Sequence, residues 1–332
     1  MHPDPHFIML MGLPGSGKSA VARTLAGEDG VIYASDDIRE EIFGDASTQG
    51  DNDLVFRELH FRVKRDLRAW KTVIYDATNL SYKRRKAFLR QLDDCKIPGL
   101  TKECILVYAP YEVCLERNRA RERRVPEEVI RRMRMRFDPP MPSEGWDSIR
   151  VEYNCETEGA EELREKLSDL QRFPQDNPNH DLSLGDHMLQ AMNIYIYAAF
   201  DTPYFDPQMA VAIAVHDIGK EYTKTFYDAK GNVSEHAHYY NHENVGAYEI
   251  FRYLRVFQGG WTNEHVLRVA KLIRWHMYPF VIARSQNPKK TKEKLKTIVG
   301  EKDYETLMWM WHIDKAAHSA KETSEKTGEE TP

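Results

Sequence analysis

Cysteine is scarce in this chain of 332 residues. Cys95, Cys104, Cys114 and Cys155 stand 9, 10 and 41 positions apart, spacings that build neither a CxxC zinc motif nor a dense disulfide framework. They read as buried thiols. Long apolar runs are also missing: the stretch from Phe7 to Met11 is about a third of a membrane span, and acidic and Pro residues precede it where a signal peptide would be basic. A cytosolic protein with no membrane partner is the expectation. Excess positive charge is absent, because 47 Lys and Arg face 52 Asp and Glu for a net of −5. That excludes a surface that wraps nucleic acid throughout, but not a single basic groove. Low complexity is confined to the end: residues 321–332 are polar throughout and are expected to be disordered. What remains, 41% hydrophobic and 30% charged, is the composition of a folded enzyme with room for two domains.

Composition changes at residue 172. The first part holds 21 of the 26 Arg and all four Cys, and the second holds ten of the 13 His. The junction from Arg172 to His180 carries two Pro and several turn formers after an amphipathic stretch from Ala160 to Leu170. The boundary is therefore placed between domains 1–172 and 173–320. In the first, apolar runs at Phe7 to Met11, Val31 to Ala34, Val73 to Tyr75 and Cys104 to Tyr108 alternate with helical patterns, which implies an α/β fold with a parallel sheet. In the second, helical periodicity over 186–200, 207–216, 244–257, 263–275 and 302–317 predicts an all-α bundle. One hairpin-like excursion from Thr223 to Val233 interrupts it.

The run Gly12-Leu-Pro-Gly15-Ser16-Gly17-Lys18-Ser19 follows a strand and opens a helix, the context of a GxxxxGK[ST] phosphate loop. Its glycines let backbone N–H groups converge on phosphates, Lys18 neutralises the β and γ oxygens, and Ser19 ligates Mg²⁺. Ser35-Asp36-Asp37-Ile-Arg39 follows the second strand. There a carboxylate could act as general base toward an acceptor hydroxyl, with Asp36 the candidate; the other reading is that Asp36 or Asp37 caps the following helix. The third strand ends on Asp76, in the position of a Mg²⁺-holding carboxylate, with Thr78 and Asn79 close behind. Nine arginines lie between 117 and 136. Such a segment can close over phosphates and supply a charge-stabilising finger, or its second half can be a solvated helix face.

GLPGSGKS, SDDIR, DATNLSYKRR and RNRARERRVPEEVI together resemble the kinase domain of the bacteriophage-type polynucleotide 5′-kinases over nearly all of residues 5–172. The resemblance implies that Asp36 activates a ribose 5′-hydroxyl and that Arg39 contacts the phosphate of the acceptor's terminal nucleotide. It also implies that Thr78 and Asn79 border the acceptor and that Arg117 and Arg121 touch the donor phosphates of an NTP. Here Ala77, not Asp, directly precedes Thr78-Asn79, and Asp76 stands one step earlier. The segment before Val125-Pro126 is one residue shorter than the family's, which leaves the finger among Arg121, Arg123 and Arg124.

In the second part, His216-Asp217 ends an apolar helical stretch, and His187, His242, His276 and Asp314 stand on other predicted helices. Imidazoles with carboxylates suit Mn, Ni, Co, Fe or Zn, and an adjacent His-Asp can place one carboxylate between two ions. The order H…HD…H…H…D resembles the HD phosphohydrolase superfamily over about residues 178–318. By that resemblance His187, His216, Asp217 and Asp314 hold one metal, while His242 and His276, sharing Asp217, hold a second. Lys220 neutralises a substrate phosphate, caps a helix or is solvated. His180 and His238 flank these ligands; His236, His265, His312 and His318 are read as structural.

The joint expectation is a bifunctional RNA end-healing enzyme. An NTP-dependent, Mg²⁺-dependent kinase would phosphorylate 5′-OH ends of RNA, or of DNA, and a metal phosphoesterase would open 2′,3′-cyclic phosphates. Sealing is left to a separate ligase, since no KxDG motif occurs. Two other readings use the same motifs: a nucleoside or small-molecule kinase fused to a nucleotide phosphohydrolase, and an NTP-driven switch or nucleic-acid sensor whose HD domain hydrolyses a signalling nucleotide. A steep fall of binding with salt selects the polymer; slow NTP hydrolysis without transfer selects the switch.

Overall fold

A computed structural model describes residues 4–45, 50–156, 159–178, 180–254 and 261–318. The residues 321–332 read as a disordered tail lie outside the described residues. The chain divides into two units, 1–157 and 158–332.

The first unit is built on β1 (His6–Met11), α1 (Lys18–Ala26), β2 (Val31–Ala34), α2 (Ser35–Phe43), α3 (Asn52–Arg68), β3 (Thr72–Asp76), α4 (Tyr82–Asp94), β4 (Thr101–Tyr108), α5 (Tyr111–Arg119), α6 (Glu127–Arg134) and β5 (Ser148–Tyr153). The strands form one parallel sheet in the order β2-β3-β1-β4-β5, as the strand-helix alternation implies. Side chains alternate across the sheet. Ile8 and Leu10 join Ala22, Ile74, Ile105 and Val107 in an aliphatic layer on one face, and Phe7 packs against Tyr75, Phe88 and Trp146 on the other. The carboxyl ends of all five strands point to one edge, where the chain reverses between β3 and β4 around the central β1. In open parallel sheets that crevice is where ligands bind.

The second unit comprises α7 (Ala160–Leu170), α8 (Leu184–Ala199), α9 (Pro207–Val215), α10 (Lys220–Thr223), β6 (Thr225–Tyr227), β7 (Val233–His238), α11 (His242–Glu249), α12 (Phe251–Leu254), α13 (Asn263–Trp275), α14 (Tyr278–Ala283), α15 (Pro288–Val299) and α16 (Glu301–Ala316). It is helical, with β6 and β7 as its antiparallel hairpin. The division falls before α7 rather than at 172: Leu163 and Leu170 are buried, and α7 packs on α8 and α12. Its apolar stripe therefore serves the helical core, which a helix closing the sheet domain would not do. The helix α9 is apolar nearly all round, with Asp206 capping its amides at 3.0 and 3.1 Å and Pro207 at its first position. That pattern marks a central buried helix. No helix among the described residues is long and apolar enough to cross a membrane.

Candidate functional sites

At the sheet edge of the first unit, residues 12–17 curl after β1 into the N-terminus of α1. Gly17 has φ 98°, and a Cβ there would overlap the amide of Asn154, so only glycine fits. Asn154 donates to the Ser16 carbonyl at 2.9 Å, and Arg117 holds the Asn154 carbonyl at 2.8 Å while reaching Gly15 O at 3.5 Å. Arg117 thus fastens the loop's backbone to the end of β5.

The Lys18 amine is buried and donates to Leu13 O at 2.8 Å. Burial pulls its ammonium below the ordinary lysine value; Asp76 is the strongest opposing charge, and Arg121 and Asp36 are close enough to act on it. Ser19 donates to the Asp76 carboxylate at 2.7 Å. This pair, a hydroxyl from the start of α1 and a carboxylate from the end of β3, has the donor chemistry of a Mg²⁺ site.

Asp36 and Asp37 lie in the first turn of α2, whose N-cap is Ala34, and no side-chain hydrogen bond caps the helix. Neither aspartate acts as the cap. Asp36 is gripped by two guanidiniums: Arg39 at 3.0 Å and Arg123 at 2.9 Å. Arg39 also reaches Asn52 at 2.8 Å. Asp37 is pushed up from the usual carboxylate range, by burial first and then by Asp36 and Asp76. Of the arginines in the 117–136 segment, Arg123 is thereby the one paired with the base candidate, while Arg121 acts on Lys18. Asn79 takes a left-handed backbone, φ 48°, and donates to Leu10 O at 2.7 Å, and the Thr78 carbonyl accepts from Gly12 N at 3.1 Å. These two residues brace the phosphate loop from behind. Arg85 supports them in turn: fully buried, it pairs with Glu144 through two 2.7 Å hydrogen bonds and donates to Asn79 O at 2.9 Å.

In the second unit, His187, His216, His242 and His276 come together from α8, the end of α9, the start of α11 and the end of α13. Three of them are anchored identically, each Nδ1 facing the carbonyl three residues back: Ile213 O at 2.8 Å, Tyr239 O at 2.8 Å and Ile273 O at 2.7 Å. His187 Nδ1 faces Ala317 O at 3.2 Å. Since a carbonyl only accepts, each Nδ1 carries a proton and each Nε2 points inward, where it can take a metal ion or, on His216, a second proton. Gly219 makes this approach possible, because a Cβ there would overlap the His242 carbonyl on α11.

The inward atoms form two groups. Around Asp314 Oδ1 stand His187 Nε2 at 3.1 Å and His216 Nε2 at 3.4 Å, with Asp217 Oδ2 3.6 and 3.4 Å from those two nitrogens. Around Asp217 Oδ1 stand His242 Nε2 at 3.1 Å and His276 Nε2 at 3.6 Å. Asp217 presents one oxygen to each group. Neighbouring ligands on an ion with bonds of about 2.1 Å lie about 3.0 Å apart in octahedral and about 3.4 Å apart in tetrahedral geometry, so these residues fit divalent transition metals. The electrostatics agree. Burial opposes charge on Asp217, yet Lys220 and the histidines hold its carboxyl well below the ordinary range. Burial likewise opposes a proton on His216, but Asp217 and Asp314 outweigh it and push this imidazole up to about 9. The group around Asp314 thus favours positive charge, whereas burial first, and then His242 and His216, pull the His276 imidazole down.

Lys220 is buried, not solvated. Its amine lies 2.7 Å from Asp217 Oδ2, donates to Gln175 at 2.9 Å and sits above the Tyr239 ring. His180 reaches this amine at 3.4 Å and stacks on His318. His318, read as structural, lies 3.3 Å from Asp314 and belongs to the site. Its position four residues after Asp314, just past the end of α16, is the signal that could have found it. His238 instead bonds Ser234 and stacks on Tyr240, outside the two groups. Asn154 was missed because β5 was; the alternation Ile149, Val151, Tyr153 is the pattern that marks that strand.

Comparison with known proteins agrees with this division. Residues 7–140 match the AAA domain family, and residues 184–308 match the HD domain family. The chain therefore carries an N-terminal P-loop kinase region and a C-terminal HD domain. Among curated proteins it is similar to L-seryl-tRNA(Sec) kinase of Methanococcus maripaludis, 28% identical over 146 residues, which are 42% of this chain and 55% of that protein. The chain thus spans about half the length of that relative. Among solved structures it is similar to the Pnkp1/Rnl/Hen1 complex, with 26% identity, 39% of this chain and 44% of that chain covered, and a TM-score of 0.31. A putative kinase from Chloroflexus aurantiacus gives 20% identity, 46% and 87% coverage and a TM-score of 0.39.

Proposed function

We propose that this protein is a bifunctional RNA end-healing enzyme, joining an NTP-dependent 5′-hydroxyl kinase to a metal-dependent 2′,3′-cyclic phosphate phosphoesterase. The observation that carries the reading is the Asp36 carboxylate held between Arg39 and Arg123 at the mouth of the phosphate loop. A kinase that serves a nucleic-acid end needs a base for the hydroxyl and cations for the flanking phosphate within one turn of each other, and α2 supplies both. The curated relative is named as a kinase of an aminoacylated tRNA, which supports an acceptor hydroxyl borne on RNA.

In the kinase, Asp36 takes the proton as the ribose oxygen attacks the γ-phosphorus and the bond to the bridging oxygen of the donor breaks. Lys18 and the loop amides balance charge on the donor phosphates, and Arg121 or Arg123 covers the transferring group. Ser19 and Asp76 would hold Mg²⁺, which supplies charge neutralisation across the β and γ oxygens.

In the HD unit, His187, His216, Asp217 and Asp314 would hold one metal, and His242 and His276 with Asp217 a second. Bound there, divalent ions supply Lewis-acid polarisation of a phosphoryl oxygen. The protein's own share is orientation. Four imidazoles are locked by backbone carbonyls, and Lys220 stands ready to pair with a substrate phosphate beside Asp217. Opening the cyclic ester consumes one water: its oxygen bonds to phosphorus, one ring P–O bond breaks, and the freed ribose oxygen takes the proton.

The test is a short RNA bearing 5′-OH and 2′,3′-cyclic phosphate, incubated with ATP, Mg²⁺ and Mn²⁺, Ni²⁺ or Co²⁺, with both ends resolved. Phosphate gained at the 5′ end and the cyclic ester opened at the other are expected. RNA left unchanged at both ends, while nucleosides and mononucleotides react, would overturn the reading in favour of small-molecule substrates.

A further inference from the structure

Between the helices that carry His276 and Asp314, the chain forms α14 and α15, and there its charge departs from that of the whole. Arg284, Lys289, Lys290, Lys292, Lys294 and Lys296 are opposed only by Glu293 within 284–296, in a chain of net charge −5. The helix α15 begins sharply, with Asn287 accepting from Lys290 N at 3.0 Å and Pro288 at its first position. Leu295, Ile298 and Val299 are buried, and the helix packs on α14 and α16. The opposite side is cationic.

Two of the lysines are occupied, since Lys292 and Lys296 lie over the Tyr304 ring and Lys296 pairs with Glu301 at 2.5 Å. The other four cations differ. Arg284, Lys289, Lys290 and Lys294 are exposed and, among the described residues, enter no side-chain ion pair or hydrogen bond. A merely solvated helix face intersperses signs or forms i,i+4 pairs; this one concentrates unpaired cations.

The patch is tied to the metal cluster by short covalent and packing links. The helix α14 starts two residues after His276, and its Phe280 packs edge-on against Trp311 at 5.9 Å, three residues before Asp314. The apolar side of α15 is spent on the core, which leaves no amphipathic face for a membrane. Flexible ammonium groups on a convex helix match a polyanion whose charges repeat along a flexible strand.

We propose that Arg284, Lys289, Lys290 and Lys294 form a binding surface for the phosphodiester backbone of single-stranded RNA whose 3′ end enters the HD cluster. The proposal rests on the phosphoesterase reading of that cluster and deepens it: the site is built for a polymer end, with the phosphates upstream of the terminus held on α15. Base identity plays no part, because ammonium groups contact phosphates without reading sequence.

The test compares the full-length protein with a variant carrying Arg284→Gln, Lys289→Gln, Lys290→Gln and Lys294→Gln, checked for an unchanged melting temperature. Binding of a short 5′-labelled RNA ending in a 3′-phosphate is followed by anisotropy over a salt series, alongside hydrolysis of RNA 2′,3′-cyclic phosphate and of a 2′,3′-cyclic mononucleotide. The variant should bind the RNA about tenfold or more weakly at low salt, and the slope of log K against log salt should flatten by about 2 to 3, near 0.7 per lost contact. KM for the oligomer should rise while both kinetic constants for the mononucleotide stay unchanged. An unchanged RNA affinity and salt slope would overturn the proposal, as would an equal loss on the mononucleotide or a variant defect seen with an acidic peptide but not with RNA. The anisotropy arm needs no turnover. A failure of the phosphoesterase reading, with no cyclic ester opened by either protein, is therefore distinguishable from a failure of the patch.

Discussion

On the proposed function, Lys18, Asp36 and Asp217 are each the one side chain on which a chemistry turns. Lys18 is the buried cation of the phosphate loop, Asp36 the only carboxylate that two guanidiniums orient at its mouth among the described residues, and Asp217 the residue whose two oxygens face two different groups of histidines. Lys18→Ala or Asp36→Ala should lower 5′ phosphorylation by about 10²-fold or more and leave cyclic-phosphate opening unchanged. Asp217→Ala should do the reverse. End-resolved assays of the three purified variants check this; loss of both activities in any one soluble, folded variant would contradict two independent sites. Lys220 illustrates how burial changes a role: the same residue on a solvated turn would be a spectator, whereas here its amine touches the central carboxylate.

Among the elements, α3 and α4 show how packing sets pH dependence. His60 on α3 stacks on Phe88 of α4 at 4.0 Å between ring centres and meets the Tyr75 hydroxyl at 3.3 Å. Burial, reinforced by Lys64, pulls its imidazole down to about 4, against about 6.5 in an unfolded chain. A depressed folded value means that the neutral ring is the one the fold accepts. Its contribution is complete above about pH 6.5 and is lost as pH falls toward 4. The N-terminal unit should lose about 2 kcal/mol across that window, after allowance for the partial exposure of the ring. Calorimetry of His60→Phe beside the parent checks it, because the variant should show a flatter pH dependence there. The Arg85–Glu144 pair is the other device at this scale. It joins α4 to the segment after α6 and, through Asn79 O, fixes the loop behind the phosphate cradle.

For the whole molecule, the consequence of two units with two ion requirements is selective response to chelation. Stripping transition metals should lower the melting transition of the HD unit by a few degrees, about 2.7 kcal/mol for a site held at a hundredfold its dissociation constant. The transition of the kinase unit should stay in place. Calorimetry before and after chelation, then after Mn²⁺ or Ni²⁺ is restored, measures this. A single transition that shifts as one would contradict it.

The motifs were legible because their chemistry requires local order in the chain. A phosphate cradle needs closely spaced glycines, a lysine and a helix start; an HD pair needs neighbours at the end of an apolar helix; strand-helix alternation predicts a parallel sheet. What tertiary structure alone decided is which distant side chains share a space. It gave Arg123 to Asp36, turned Asn79 and Arg117 toward backbone carbonyls, made Asn154 the neighbour of Gly17, and brought His318 and Lys220 onto the carboxylates of Asp314 and Asp217. It also assigned α7 to the helical unit. Local pattern reports periodicity and capping, which act within a few residues. Ligand geometry, burial and charge pairing depend on distances between residues far apart in the chain, and only the packed fold sets those.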